Sequence, residues 1–476
     1  MRVKTDDKIL KIKPLLKEFL DELLKEYEYA SILACSSNGK SYSANKVGTQ
    51  ISDNPRYIDF GVCIKVYDKK GYAEYSCNEV TKETLEKAKE KIAKSLVPLA
   101  GKLPEGLEES AYGMLPDEKV TLCEATEYEI HPFEYGEGKI VEELDKLVKD
   151  ALSRDERIIN AASRYAFKEY TNMFLSKNKD MIESVMYSDG MIFIEAKDGE
   201  IVRDSYKGFS VLGGVELLKS YASELDDRID TALALLKAEP MVPGEYECIC
   251  APDVTGMIVH EAFGHGVEMD MFVKKRALAE KFVGKRVASD LVTMRDGAKG
   301  VNQTATYFFD DEGTLAHNTL VIDKGILVTG YSDLQSAMRL GTEPTGNGRR
   351  QDHSRKAYTR MTNTYFEPGK DKVEDMIKSI KYGFYLGEAS SGMEDPKNWG
   401  IQCMVSYAKE IKDGEFTGKI FAPICLTGYV PDLLQSISMM SDETILSGSG
   451  FCGKGYKEWA KVSDGGPYIK AKIRLG

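Results

Sequence analysis

The chain has 476 residues, of which 42% are hydrophobic and 29% charged, with 15 Pro spread along its length. Such values belong to a globular protein of two or three domains at roughly 100 to 200 residues each, and they exclude disorder and collagen-like repeats. Lys and Arg total 64 against 76 Asp and Glu, a formal charge of -12, so direct binding to a nucleic-acid backbone is not expected.

The apolar runs are too short to cross a hydrocarbon core of about 30 Å, and no membrane contact is expected. The first 27 residues alternate charged and apolar side chains and lack the continuous apolar core of a signal peptide, which predicts a cytoplasmic protein. Nine Cys are scattered without a CxxC pair. They read as reduced thiols, each a small buried hydrophobe unless chemistry claims it.

In chain order, Leu10 to Leu24 carries apolar residues at the three and four spacing of an amphipathic helix. SILAC, DFGVCIKVYD and GYAEYSC follow as short strands of a meander, then helices over 82–99 and 138–153. Residues 157–205 alternate strongly, with turn signals at Lys177 to Lys179, Asp189-Gly190 and Asp198-Gly199. A helix over 215–238 ends at Pro240 and Pro243-Gly244, which places a boundary near 240. Beyond it lie further strand-like segments, including YECIC, ATYFFDDEGT, TLVIDKGILVTGY and PYIKAKIRL. The expected class is α+β: an N-terminal strand meander with helices over 1–240, then a mostly β domain over 241–476 that carries an irregular metal-binding helix.

Two of the five His fall in one segment, DVTGMIVHEAFGHGVEMD. His260-Glu261 followed by His265 has the parts of a metallopeptidase helix, two imidazoles for Zn2+ and a carboxylate for the proton of the attacking water. The spacing is HExxxH, however, and at about 100° per residue positions i and i+5 stand roughly 140° apart on a regular helix. Sharing one metal therefore requires a widened, π-type turn between 260 and 266, and Gly264 and Gly266 make distortion cheap. The competing reading has His260 packed among Val254, Met257, Ile258 and Ala262, with His265 at the surface. A third ligand is needed for zinc, and spacing leaves Cys452, His317, His353, Glu268 and Asp270 as candidates. Glu268 and Asp270 are equally candidates to orient a ligand imidazole. Gly448 to Lys454 also fits GxxxxGK, but Gly455 follows where Ser or Thr belongs, and too little chain remains for a nucleotide-binding sheet.

The segment VHEAFGHGVEMD resembles the signature of the TldD/PmbA metallopeptidases, and DDEGT (310–314), PTGNGRR (344–350), RMTNTYFEPG (360–369) and GFCGKG (450–455) continue the likeness in the family's order. The resemblance implies a zinc-dependent cytoplasmic peptidase of unstructured peptides or unfolded proteins. It also implies a homodimer, or a heterodimer with a motif-lacking TldE/PmbA-type subunit. His260, His265 and Cys452 then match the metal ligands and Glu261 the catalytic base. KGYKEWAKVSDGGPYIKA, after Cys452, departs from the family's usual pattern. The alternative is a non-catalytic regulatory or structural subunit, gyrase-modulator-like, against which the retained motif argues. DDEGT reads as a turn, PTGNGRR as either a solvated turn or a substrate or interface loop, and His317 and His353 as surface or supporting residues.

Overall fold

The computed structural model describes residues 1–53, 58–68, 71–96, 113–456 and 458–476. It is an α+β protein. Its first half is built on an eight-stranded sheet whose core is the antiparallel run of Tyr29–Asn45, Ile158–Ser176 and Lys179–Asp198. Strict alternation on these strands separates two faces. Ala30, Ile32, Ala34, Tyr165, Phe167, Met173 and Leu175 lie beneath the helices Asp7–Leu23, Lys82–Ser95, Glu137–Arg154 and Tyr221–Leu235. Leu33, Cys63, Phe174 and Met181 face the other way, against Phe309 of the second half. The helix starts are capped locally: the Asp6 carboxylate accepts from the Lys8 amide, and Thr81 and Thr84 form a reciprocal box.

Three readings change here. Asp189-Gly190 is not a turn but the middle of Lys179–Asp198, paired on both sides. The Asp189 carboxylate is buried between Arg164 and Lys461, and a Cβ at Gly190 would lie 1.7 Å from the Tyr221 hydroxyl, so both residues answer to packing. ATYFFDDEGT is not a strand. The Asp310 carboxylate accepts the amides of Glu312, Thr314 and Gly348, folding the segment into a turn with Gly313 at φ +77. The pattern over 215–238 begins as a 3-10 turn, Val215–Ser220, before the α-helix Tyr221–Leu235. The helix expected over 82–99 spans Lys82–Ser95, and the tail of that expectation lies outside the described residues.

After Gly244 two further large sheets form. One has the order Tyr382–Asp395, Gly244–Cys250, Ile469–Leu475, Ile424–Tyr429, Gly400–Lys412 and Glu415–Phe421. Tyr382–Asp395 also pairs with Gly400–Lys412, so the path closes into a ring. The other, six-stranded, contains Met294–Asp296, Asn363–Phe366 and Ser463–Gly466. Between them the largest hydrophobic core surrounds the helical segment that starts at Pro252. A separate two-stranded hairpin, Phe451–Lys454 with Glu458–Lys461, approaches that segment from the side.

Candidate metal centre

Pro252 opens an α-helix, as its missing N–H and fixed φ favour at a first turn. The helix runs to Met257, widens to a π-helix over Ile258–Gly264 and tightens to a 3-10 turn over His265–Val267. The His265 amide donates to the His260 carbonyl, a five-residue step in place of the usual four. That step turns the two imidazoles toward each other, with ring centroids 5.1 Å apart and planes at 90°. Gly264 acts differently from the sequence expectation. Gly264 has an ordinary right-handed backbone, φ -57. Its role is close approach: a Cβ there would sit 2.4 Å from the Met361 sulfur and 3.0 Å from the Val259 carbonyl, and the Tyr331 hydroxyl donates to the Gly264 carbonyl.

The hairpin supplies the third donor. Cys452 Sγ is buried and 3.6 Å from His265 Nε2, and one ligand atom each from His260, His265 and Cys452 lie within 4.8 Å of one another. Two ligands on one tetrahedral zinc, at about 2.05 Å for nitrogen and 2.3 Å for sulfur, stand roughly 3.6 Å apart, so the His265–Cys452 pair already has that separation. Burial alone raises the Cys452 thiol, but the two imidazoles overcome it and hold the pKa at about 4. An anionic sulfur facing two imidazoles is a donor set for a divalent cation. His260 Nδ1 is buried without a hydrogen-bond partner among the described residues. The residues fit zinc in number, chemistry and separation.

A surrounding layer fixes these donors. Glu268 Oε2 lies 3.2 Å from His265 Nδ1, and Lys454 joins Glu268 at 3.1 Å, Asp270 at 2.7 Å and the Thr359 carbonyl at 2.9 Å. Burial raises the Glu268 carboxyl, yet the Lys454 and His265 charges bring it to about 2, so it stays an acceptor that orients the ring. Asp464 Oδ2 stands 3.8 Å from His260 Nδ1, its pKa lifted by burial to about 6. Arg360, fully buried, donates to the carbonyls of Cys452 and Glu458 and so ties both strands of the hairpin. Glu261 turns away from the core: its side chain is 30% exposed, with Oε2 3.8 Å from His265 Nε2. Gly392 makes room for it, since a Cβ there would fall 2.6 Å from Glu261 Cγ.

The other candidates for the third ligand lie elsewhere. Glu268 and Asp270 belong to the supporting layer. The His317 side chain is exposed, and His353 pairs with Asp59 of the first sheet at 2.7 Å. Sequence reasoning did not find Asp464 or Arg360, which are distant in the chain from the motif and carry no spacing signal. Lys454 stood in GFCGKG and in the overlapping loop that imitates a phosphate site, with no role assigned to it, and the structure gives it carboxylate partners.

Residues 243–473 match the family described as PmbA/TldA metallopeptidase C-terminal domain. A zinc metalloprotease TldD homolog of Saccharolobus solfataricus is 30% identical over 323 residues, 66% of this chain and 71% of that protein. A metalloprotease of Methanocaldococcus jannaschii is 26% identical over 461 residues, 95% and 98% of the two chains. Among solved structures, TldE from Thermococcus kodakarensis has a TM-score of 0.74 at 20% identity, covering 96% of this chain and 99% of that one. That likeness is one of fold.

Proposed function

The chain belongs to the PmbA/TldD metallopeptidase family, and from that premise we propose that it is a zinc-dependent peptidase of unstructured peptides, held by His260, His265 and Cys452 as ligands and driven by Glu261 as general base. The observation that carries this reading is the convergence of two imidazoles and one cysteine sulfur within 4.8 Å, with a half-buried carboxylate beside them. Bound Zn2+ supplies Lewis acidity to the scissile carbonyl and to the attacking water. Glu261 takes the proton of that water and passes it to the leaving amine, a role suited to its partial exposure and to the room left by Gly392. Glu268, anchored by Lys454, holds the His265 ring so that Nε2 faces Cys452. Arg360 keeps the Cys452 backbone in place.

The proposed setting is cytoplasmic. No helix among the described residues is long and apolar enough to cross a membrane. Assembly as a dimer, with a second copy or with a TldE-type partner, is part of the same proposal, and a fold shared with TldE supports it. The test is to measure metal content and peptide hydrolysis together. The wild type should carry about one Zn2+ per chain, leaving a fourth position open, and Glu261→Ala should keep the metal while hydrolysis of a flexible peptide falls about 10² to 10⁴-fold. Hydrolysis at the wild-type rate in Glu261→Ala would remove the carboxylate from the mechanism.

A further inference from the structure

One strand links the first half of the molecule to the proposed base. Tyr382–Asp395 lies in the second-half sheet between Gly244–Cys250 and Gly400–Lys412, but its pairing with Gly244–Cys250 ends at Leu386. Beyond that point its described backbone pairing continues only with Gly400–Lys412, and the register shifts between Ala389 and Ser391. Such a bulge bends a strand and re-aims the side chains after it. Here the residues after it reach the metal segment. A Cβ at Gly392 would fall 2.6 Å from Glu261 Cγ, and Glu394 Oε1 lies 2.5 Å from where a Cβ of Gly266 would stand. The placement of residues 391–395 therefore sets the wall against which Glu261 rests.

Glu388, at the start of the bend, has φ +61, in the left-handed region that side chains other than Asn and Asp seldom adopt. Such a conformation persists where its surroundings over-determine it, and here the first half does so. Glu388 is buried, and its carboxylate accepts from Ser205 Oγ at 2.8 Å, from the Tyr206 amide at 3.3 Å and from the Arg228 guanidinium. Ser205 and Tyr206 belong to the strand Ile201–Val211, and Arg228, itself buried, to the helix Tyr221–Leu235. The next residue is gripped from the other side. The Ala389 amide donates to Asp253 Oδ2 at 3.1 Å, in the first turn of the helix that leads to His260. Consecutive residues of the bend are thus pinned to the first half and to the metal segment.

We infer that Glu388 is a positioning residue for the proposed hydrolysis: through its ion pair with Arg228 it fixes the strand Tyr382–Asp395, so that Gly392 seats the Glu261 side chain. This role rests on the reading of Glu261 as general base. The pair acts through the backbone of the strand and touches neither metal ligand nor substrate. Its loss shifts the wall of Glu261 and leaves His260, His265 and Cys452 on the elements that hold them. A misplacement of about 1 Å costs on the order of 100-fold in rate, so the effect falls on turnover and spares metal content.

The experiment uses the full-length, zinc-loaded chain. Glu388→Gln keeps the length and backbone preference of the side chain and removes its charge. Glu388→Asn suits a left-handed backbone and shortens the side chain, so the two separate the ion pair from backbone strain. On a flexible peptide both should lower kcat about tenfold or more, with KM within about twofold and zinc content unchanged. Arg228→Gln should lower kcat likewise, and Arg228→Gln/Glu388→Gln should be no slower than the slower single variant, because both act through one pair. Hydrogen exchange read by mass spectrometry is independent of turnover. Amides of 391–395 and 258–264 should exchange faster in Glu388→Gln than in wild type, while those of Ile158–Ser176 stay the same. In either folded Glu388 variant, kcat equal to that of an active wild type, or unchanged exchange over these segments, overturns the proposal. So does a loss of kcat that only tracks lost zinc, or losses that add in the double variant. A wild type that hydrolyses no peptide instead removes the peptidase reading, and the exchange comparison still decides whether Glu388 fixes the strand.

Discussion

The helix-covered sheet and the segment Pro252–Val273 obey opposite rules. In the sheet, strands of 17 to 20 residues alternate inward and outward, and the same parity buries Ala30, Ile32 and Ala34 along one strand and Met173 and Leu175 on its neighbour. In Pro252–Val273 the backbone passes from α to π to 3-10 to α, and no element exceeds seven residues. The sheet is stabilised by many equivalent contacts, so its geometry follows its hydrophobic period. The metal segment departs from any period because its side chains must meet a hairpin some 190 residues later, with Cys452 facing His265 across 187 residues. Regularity serves burial there, and irregularity serves convergence.

This contrast can be broken from either side. The largest effect belongs to the convergence: Cys452→Ala removes the proposed third ligand and should drop bound Zn2+ well below one per chain. Chelation should likewise lower the unfolding temperature of the wild type, because metal affinity is coupled to folding. Metal analysis and calorimetry with and without chelator check this, and full zinc retention in Cys452→Ala would detach the hairpin from the site. Next is the sheet. Phe167 is fully buried beneath the helices, in edge contact with His131 and Phe133. Phe167→Ala should cost about 3 to 5 kcal/mol in denaturant unfolding while the folded protein keeps its zinc. Loss of metal at full occupancy of the fold would show that the two regions are coupled more tightly than their packing implies.

The smallest effect probes the seam between them. Lys65 and Glu74 of the first sheet meet Glu312 and Arg350 of the second half in a buried ion network. Burial pushes the Glu74 carboxyl up, but Lys65 and Arg350 more than offset it and leave its pKa at about 2, below the ordinary 4.5. The folded state then binds fewer protons at this site than the unfolded chain. Its stabilisation is complete above pH 4.5 and is lost as the pH falls toward 2. Glu74→Gln should be less stable than wild type near neutrality and should show a shallower decline over that acid limb. Parallel stability curves for the two proteins would mean that Glu74 titrates normally and that the network is only a surface pairing.

Much of the architecture was legible because it is local. The helix at Asp7–Leu23, the strands around Ile32 and Ile64 and the helix at Glu137–Arg154 all stand where their apolar spacing predicted. The failures are equally instructive. Asp189-Gly190 carries a turn signature, yet lies mid-strand because Arg164 and Lys461 bury its charge and Tyr221 occupies the space beside Gly190. Lys461 and Tyr221 are far away in sequence, so nothing near Asp189 announces them.

At the site, the i and i+5 spacing of His260 and His265 demanded a widened turn on geometric grounds alone, and the backbone of Ile258–Gly264 has that form. The sequence by itself also determined the pair of imidazoles, the adjacent carboxylate of Glu261 and the α+β class, since periodicity and short-range spacing are properties of the chain. Only the tertiary structure placed Cys452 against His265 and left His317 and His353 outside. It alone set Asp464, Lys454 and Arg360 around the donors and tied Glu388 to Arg228 across the two halves. Those choices depend on which distant segments share a buried volume. That is decided by packing the whole chain against itself, and no local pattern encodes it.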